Sequence, residues 1–202
     1  MKPMKIYKQL PIQLFLMCFV FCLCLSGYII RQGMATEQDL WQELKKENHF
    51  ALIRHALAPG TGDPSDFDIR DCTTQRNLSE KGRDQARKIS KLFRAQGIHQ
   101  AEVYSSQWCR CLETATLLDL GPVQELEILN SFFRRFEKRE QQTAALKAWI
   151  NGKEIKIPHI FVTHQVNITA FTGIFPGSGE MVIVRKDGHG EFAILGRIPV
   201  LD

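Results

Sequence analysis

The sequence predicts a single α/β domain, a three-layer α/β/α sandwich with a mainly parallel central sheet. Short apolar runs that suit buried strands alternate along the chain with segments of helical periodicity. Strands that alternate with helices form a sheet that is covered on both faces. The composition, 44% hydrophobic and 24% charged, suits a chain that buries a core. No internal repeat or long linker divides the body of the chain, so we expect one domain over residues 36–202.

The predicted elements of the first half surround one long loop. Residues 36–48 carry apolar side chains at helical spacing and predict a first helix, and the apolar run at 49–53 suits a buried strand. Glycine and proline from residue 59 onward predict a loop that extends to Asn77. Ser79 is a suitable N-cap for the helix that follows, and Gly97 ends that helix.

The second half continues the alternation of strands and helices. Its predicted elements are a strand at 102–105, a helix at 108–118, a strand at 123–129, a helix at 139–150 and a strand at 160–163. In the helix at 139–150, we expect Ala145, Leu146 and Trp149 to face inward. The last predicted elements are two antiparallel strands at 181–185 and 192–198, which a glycine-containing turn connects.

The positive charge of the chain belongs to its first 35 residues. Four of the 26 basic residues lie there with no Asp or Glu, so the rest of the chain balances its 22 acidic residues. This distribution removes the main support for a nucleic-acid partner.

Residues 1–35 have the layout of an export signal. Three lysines precede an apolar run over residues 10–30, and small residues at 33 and 35 suit cleavage before Thr36. The run is also about the ~20 residues that cross a bilayer, so a signal peptide and an uncleaved N-terminal membrane anchor both stay open. Either interpretation predicts a periplasmic or other extracytoplasmic body, secreted or membrane-tethered.

Six cysteines fall into two groups. Cys18, Cys22 and Cys24 lie in the apolar run, and Cys72, Cys109 and Cys111 lie in the body. In an oxidising compartment, three thiols suggest one bridge, from Cys72 to Cys109 or Cys111, with three free thiols as the alternative. Their spacing does not resemble a zinc site, and no metal is expected.

Three candidate catalytic groups follow predicted strands. Ligands of such sheets bind at the carboxyl ends of the strands. The three groups are Arg54 with His55, the segment 105–110, and His164. The neutral imidazole of His55 is a competent nucleophile toward phosphorus. The guanidinium groups of Arg54 and Arg110 match phosphate oxygens, and their charge favours a neutral His55. With His164 as a further donor, the pattern predicts a phosphate-transfer site that needs no metal or other cofactor.

Four segments resemble motifs of the histidine phosphatase superfamily, also called the phosphoglycerate mutase-like family. They are Arg54-His55 after a strand, the segment LSEKGRDQA at 78–86, Tyr104-Ser105-Ser106 with Arg110 and Thr114-Ala115, and Val162-Thr163-His164. They occur in the order of the family and span most of the body. The resemblance implies that His55 is the phosphorylated nucleophile and that Arg54, Arg110 and His164 hold the phosphoryl group.

The sequence also departs from that family. Ala56 stands where the signature has glycine, and Gln165 stands where acid phosphatases of the superfamily have Asp. The loop at 59–64 lacks the pattern with which the mutases contact phosphate, so Thr61 and neighbouring amides are predicted to substitute. The predicted substrate contacts are Thr61, Arg76, Ser105 and Gln165, with ordinary solvation as the alternative for Arg76.

No residue is identified as the acid that protonates the leaving alcohol. The candidates are Asp63, Asp71, Glu127 and Glu137, each of which also suits a solvated surface position. The run Phe132-Phe133-Arg134-Arg135-Phe136 suits a substrate entrance, a membrane contact or simple packing.

The resemblance implies a metal-independent phosphomonoesterase that acts through a phosphohistidine intermediate. The Arg-His-Ala sequence and the cysteines near Arg110 resemble the small exported branch that removes phosphate from lipopolysaccharide core heptose. The expected partner is therefore a phosphorylated small molecule or a glycolipid head group. Two alternatives remain: a catalytically weak phosphate-binding protein on the same fold, and a protein phosphohistidine phosphatase.

Overall fold

The computed structural model describes residues 36–200. The interpretations of residues 1–35 as a signal peptide or an anchor, and of the three cysteines there, lie outside the described residues, as do residues 201 and 202. Within 36–200, every helix falls short of the length and apolarity that a membrane crossing requires.

Five α-helices and six strands follow one another along the described residues. They are α1 (Glu37–Leu44), β1 (His49–Arg54), α2 (Glu80–Ala95), β2 (Glu102–Ser105), α3 (Cys109–Leu118), β3 (Val123–Glu125), α4 (Arg139–Asn151), β4 (His159–Thr163), α5 (Gln165–Thr172), β5 (Met181–Lys186) and β6 (Phe192–Ile198). Single turns of 3₁₀-helix lie at Cys72–Thr74, Glu127–Leu129 and Phe136–Lys138.

All six strands belong to one mixed sheet with the order β3-β2-β4-β1-β5-β6. The pairs β3–β2, β2–β4 and β4–β1 are parallel, while β5 and β6 add an antiparallel edge. In parallel strands the carboxyl ends meet at one edge of the sheet. β1, β2 and β4 therefore deliver the residues that follow them to the same place.

Two apolar clusters cover the two faces of the sheet. Alternate residues of β1 point to opposite faces. Ala51 and Ile53 pack into a cluster with side chains of α1, α2 and α3, whereas Phe50 and Leu52 pack with side chains of α4 and α5. The predicted three-layer α/β/α fold is thereby confirmed.

Helix α2 presses against the chain that leaves β1. The Ser79 hydroxyl caps the helix by accepting the Gly82 N–H at 3.1 Å. A Cβ atom at Gly82 would lie 2.1 Å from the carbonyl oxygen of Leu57, so only glycine fits there. The Gln85 side chain accepts the Leu57 N–H at 3.0 Å. These contacts fix the backbone three residues beyond Arg54.

Two predictions were wrong, and one helix was not predicted. The strand predicted at 123–129 ends at Glu125, opposite Ser105 at the end of β2, and is followed by a 3₁₀ turn at Glu127–Leu129. Ala145 is exposed, and Leu146 and Ile150 are the buried residues of α4. Helix α5 was not predicted, since its β-branched and apolar residues lack one clear helical face.

Candidate active site

Two histidines meet at the carboxyl edge of the sheet. Arg54 in β1 pairs with Thr163 in β4, so His55 and His164 leave the sheet side by side. The His55 N–H continues the ladder by donating to the Thr163 carbonyl at 2.9 Å. The two imidazole centroids lie 5.5 Å apart, and the rings are only 2% and 3% exposed. His55 and His164, which are 109 positions apart in the chain, thus lie side by side in the interior.

The hydrogen bond of His55 determines which ring nitrogen is free to react. Nδ1 lies 2.8 Å from the carbonyl oxygen of Ala56. A carbonyl only accepts, so Nδ1 carries the proton and Nε2 keeps its lone pair. Burial lowers the pKa of His55 to about 3, and the positive charge of Arg110 acts in the same direction. The ring is therefore neutral at physiological pH, in the form that attacks an electrophile.

His164 is held by a chain of polar groups that ends on Asn130. Asn130 Oδ1 accepts from the Gln107 N–H at 2.9 Å and from the Ser106 hydroxyl at 3.1 Å. Because the Ser106 hydroxyl donates to Asn130, its oxygen accepts the Nε2 proton of His164 at 2.9 Å. Nδ1 then keeps its lone pair, 3.4 Å from Arg110 Nη2. Burial lowers the pKa of His164 well below its ordinary value.

Arg110 lies between the two histidines and the loop that follows β1. Its guanidinium donates to both carboxylate oxygens of Asp63, at 2.7 and 3.0 Å. Asp63 also accepts from Trp108 Nε1 at 3.1 Å. Burial raises the pKa of Asp63, but the hydrogen bonds and charge of Arg110 outweigh it, so the net pKa lies below its ordinary value. Asp63 is an anion and not a proton donor in this arrangement.

Two further guanidinium groups complete a positive centre. Arg54 Nη1 donates to the Pro176 carbonyl at 2.9 Å, and Arg76 Nε donates to the Gly62 carbonyl at 2.8 Å. Burial lowers the pKa of Arg76 to about 10, and the neighbouring charge of Arg110 adds to the effect. Burial also lowers the pKa of Arg54. Cations crowded in this way are stabilised by a bound anion.

Two buried N–H donors of this centre have no partner among the described residues. They are Arg54 Nε and Arg110 Nε. Buried donors in native proteins are normally hydrogen-bonded, so each unpaired one needs an explanation. A phosphoryl group beside His55 would supply oxygen acceptors of the right charge and geometry.

These groups line one cavity of about 570 Å³, a volume within the range of small-molecule sites. Its basic side chains are Arg54, Arg76, Arg110, Arg134 and Arg135. Asp63 is the single carboxylate among the described residues that line it. Phe67, Trp108, Phe133 and Phe175 supply aromatic walls. The cavity therefore suits an anionic ligand with an organic part.

A disulfide ties the long loop to the helix that carries Arg110. Cys72 is bonded to Cys109, with Cα atoms 5.7 Å apart, and the Cys109 N–H donates to Gln75 Oε1 at 3.0 Å. Cys111 is a free, buried thiol with Sγ 3.5 Å from His164 Nε2. Burial raises the pKa of Cys111 to about 12, so this thiol stays protonated.

Most predicted site residues line the cavity, and one does not. His55, Arg54, Arg110 and His164 line it, as do Thr61, Arg76 and Gln165. Ser105 is the exception, because its side chain is fully buried and donates to the Ser106 carbonyl at 2.8 Å. The neighbouring residue, Ser106, makes the contact with His164 instead.

Of the four candidate acids, the structure places Asp63 alone in the cavity, where it is ionised. Asp71, Glu127 and Glu137 do not line it. Trp108 is buried and also forms a wall of the cavity. Sequence reasoning missed the roles of Ser106 and Asn130. Their signal was their position directly after strand-like segments.

Comparison with known proteins gives one family and several solved structures. The sequence profile of the histidine phosphatase superfamily (branch 1) matches residues 50–158. The fold is similar to that of the protein histidine phosphatase SixA complexed with tungstate, at 17% identity, 75% coverage of this chain, 96% of that chain and a TM-score of 0.54.

Two further structures show the same fold. Phosphoserine phosphatase from Entamoeba histolytica, in complex with 3-phosphoglyceric acid, is 14% identical over 74% of this chain and 95% of that chain, with a TM-score of 0.53. A mycobacterial glucosyl-3-phosphoglycerate phosphatase is 16% identical over 73% and 96% of the two chains, with a TM-score of 0.53. No curated protein matches the sequence.

Proposed function

The chain belongs to the histidine phosphatase superfamily, whose profile covers just over half of it, and from that premise we propose that it is a metal-independent phosphomonoesterase with His55 as the nucleophile. His55 Nε2 attacks phosphorus, a P–N bond forms, and the ester P–O bond breaks. The alcohol leaves with a proton from solvent. Water then hydrolyses the phosphohistidine, which releases inorganic phosphate and restores the neutral ring.

One observation carries the proposal. His55, whose Nε2 keeps its lone pair, lines the same cavity as Arg54 and Arg110, and the buried Nε donors of both arginines have no partner among the described residues. Preorganised donors of this kind stabilise the charge of a phosphoryl group as the reaction proceeds. The ring centre of His164 lies 5.5 Å from that of His55, and His164 Nδ1 faces Arg110 Nη2 at 3.4 Å, so His164 helps to position the guanidinium of Arg110.

The proposed substrate is a phosphate ester outside the cytoplasm. The basic and apolar N-terminal sequence supports export of the body, and a Cys72–Cys109 bridge suits an oxidising compartment. A phosphorylated lipopolysaccharide core sugar is a substrate of this class. It offers a phosphate ester on a glycolipid head group at the cell surface.

A catalytically weak phosphate-binding protein is a second candidate, and the Arg110–Asp63 pair favours it. The carboxylate already occupies both outer nitrogens of the guanidinium, so part of the clamp is satisfied before any phosphate binds. A protein phosphohistidine phosphatase is a third candidate. In that reaction the leaving group is the imidazole of a substrate phosphohistidine, which needs less protonation by an acid than an alcohol does. This suits a cavity in which Asp63, the one lining carboxylate within residues 36–200, is ionised.

The decisive experiment measures phosphate release from p-nitrophenyl phosphate and core-heptose phosphates in excess EDTA, with His55→Asn beside the wild type. We expect EDTA-resistant turnover that His55→Asn abolishes, together with a ³²P-labelled enzyme that is acid-labile and base-stable. His99→Asn is the matched control, since His99 is exposed. Full activity in His55→Asn would overturn the nucleophile assignment, and binding without label would favour the phosphate-binding protein.

A further inference from the structure

Three exposed phenylalanines lie together beside the cavity. The large apolar side chains that are exposed among residues 36–200 are Phe133, Phe136, Ile157, Phe175 and Ile194. Phe133 and Phe175 line the cavity, and the centre of the Phe136 ring lies 6.1 Å from that of Phe133. Single exposed apolar residues are ordinary on a protein surface, whereas a group of them marks contact with another molecule. We call these three phenylalanines the aromatic patch.

Local contacts fix the backbone on both segments of the aromatic patch. Phe132 is 2% exposed and anchors its segment in the interior. Its carbonyl accepts the N–H three residues further on at 2.8 Å, which closes a tight turn that leaves Phe133 at the surface. Phe175 precedes Pro176, whose carbonyl accepts Arg54 Nη1 at 2.9 Å. The exposure of these rings is therefore a feature of the folded chain.

Exposed arginines accompany the aromatic patch. Arg134 and Arg135 follow Phe133 directly, are exposed and line the same cavity. Arg135 faces Glu137 at 3.8 Å, but both side chains are more than half exposed, so this ion pair is weak. The segment 131–139 has four basic residues and one acidic residue. This part of the surface therefore combines aromatic rings with net positive charge.

The combination matches the surface of a membrane that contains anionic lipids. Aromatic side chains enter the boundary between head groups and acyl chains, and basic side chains contact the negative head groups. A protein partner fits less well. The exposed parts of the three rings offer roughly 300 Å², given about 200 Å² for a whole aromatic side chain, whereas a standard protein interface takes about 800 Å² from each partner.

We propose that the aromatic patch and the adjacent Arg134 and Arg135 bind the surface of a membrane that contains anionic lipids. Because Phe133 and Phe175 line the cavity, this contact directs the cavity toward the lipid head groups. The sequence of residues 10–30 leaves a membrane anchor open, and an anchored body would stay beside such a surface. The inference goes beyond the proposed function and does not depend on it, since lipid contact is measured without turnover.

The test uses the full chain with a local reporter, because the apolar run at residues 10–30 would bind lipid whether or not the patch does. Phe136→Trp adds an indole to the three native tryptophans. Its added emission is measured on vesicles of phosphatidylglycerol and acyl-brominated phosphatidylcholine in equal parts, since bromine quenches an indole in contact with it. We expect the added emission to fall about twofold relative to vesicles without bromine, because apolar side chains at such a surface lie roughly 5–10 Å deep.

Ile157→Trp is the matched control for position. Ile157 is 39% exposed but precedes β4, and therefore lies at the end of the sheet away from the cavity. Its added emission should keep its full intensity on the same vesicles. Phe175→Trp is a second reporter on a separate segment, and it should be quenched as Phe136→Trp is.

The contribution of charge is measured in the Phe136→Trp chain. Arg134→Gln/Arg135→Gln should lower the ratio of lipid-bound to free patch about 10- to 30-fold, because each basic residue near an anionic surface contributes roughly fivefold. Lys81→Gln/Lys91→Gln removes the same charge from exposed positions of α2 and should leave the ratio unchanged.

Three results would overturn the proposal. One is the absence of quenching in Phe136→Trp, and another is equal quenching on neutral vesicles of brominated phosphatidylcholine or after Arg134→Gln/Arg135→Gln. The third is an emission spectrum of Phe136→Trp that changes with protein concentration in the absence of vesicles, which would show that a second copy covers the patch. None of these results bears on His55, whose role is tested by phosphate release.

Discussion

At the inner end of the cavity, the backbone of His55 and His164 is fixed by the ends of β1 and β4, whereas the rim, residues 60–64 and 131–136, depends on side-chain contacts for its backbone position. The inner pair follows from the β1–β4 register and its continuing backbone hydrogen bond. The rim depends on Arg76, on the Arg110–Asp63 pair and on Ser131. Strand register is difficult to alter without loss of the fold, while side-chain contacts exchange easily. We infer that changes in the side chains of the rim alter the rim without moving the backbone of His55 and His164.

The largest expected effect comes from opening the Cys72–Cys109 bridge, which acts on the rim side of this comparison. The bonded residues are 37 positions apart, so the chain-entropy relation gives a loss of about 4 kcal/mol in the free energy of unfolding. Urea unfolding with and without dithiothreitol measures it. We also expect KM for a phosphate ester to rise more than kcat falls, because the inner pair keeps its backbone support.

The double variant Cys72→Ser/Cys109→Ser serves as the control. Its stability should match that of the reduced wild type and should not respond to dithiothreitol. If reduction left both stability and KM unchanged, the bridge would not maintain the rim.

The next effect concerns Arg110, which connects the two regions. Arg110→Lys keeps the charge but loses the planar fork that holds Asp63 and the buried Nε donor that has no partner among the described residues. We expect kcat/KM for p-nitrophenyl phosphate to fall about 10²- to 10³-fold, or about 3–4 kcal/mol in transition-state stabilisation. Arg87→Lys, exposed on α2, should change it little. If Arg110→Lys kept the wild-type kcat/KM, a positive charge at this position would be sufficient for activity and the planar guanidinium would not be needed.

The smallest effect, counted per pH unit, is a dependence of the free energy of unfolding on pH that buried His55 causes. The unfolded chain binds a proton on His55 near pH 6.5, whereas burial keeps the folded ring neutral down to a pKa of about 3. The unfolded state binds more protons between these values, so stability is lost as pH falls through this window, by about 1.4 kcal/mol per pH unit.

Urea denaturation between pH 4 and pH 7 measures this slope. His55→Asn should reduce it, and His99→Asn, at an exposed position, should leave it unchanged. Identical slopes in the wild type and in His55→Asn would show that His55 is not held neutral by burial.

The same division explains how much of the site the sequence could predict. Arg54, His55 and His164 were predicted because each follows an apolar strand, and strand ends meet at one edge. Asp63 was recognised as a carboxylate but not as the partner of Arg110, because that contact depends on the path of a long loop. The fold followed from the alternation of strands and helices, whereas α5 carried no periodic signal.

Ser105 illustrates a finer limit. Side chains alternate along a strand, so a shift of one residue moves a group from the site to the interior. The motif contains two serines, and sequence alone favoured Ser105. The structure buries Ser105 and directs Ser106 to His164, because Ser106 is the first residue beyond the strand.

The two neighbouring cysteines of α3 have a consequence for biogenesis. Positions two apart on a helix point in different directions, so Cys109 reaches Cys72 while Cys111 is buried against His164. A bridge from Cys72 to Cys111 would hold Cys111 outside the interior position that it occupies beside His164. Pairing of Cys72 with Cys109 is therefore favoured when α3 forms before the thiols are oxidised, or when thiol–disulfide exchange replaces a bridge from Cys72 to Cys111.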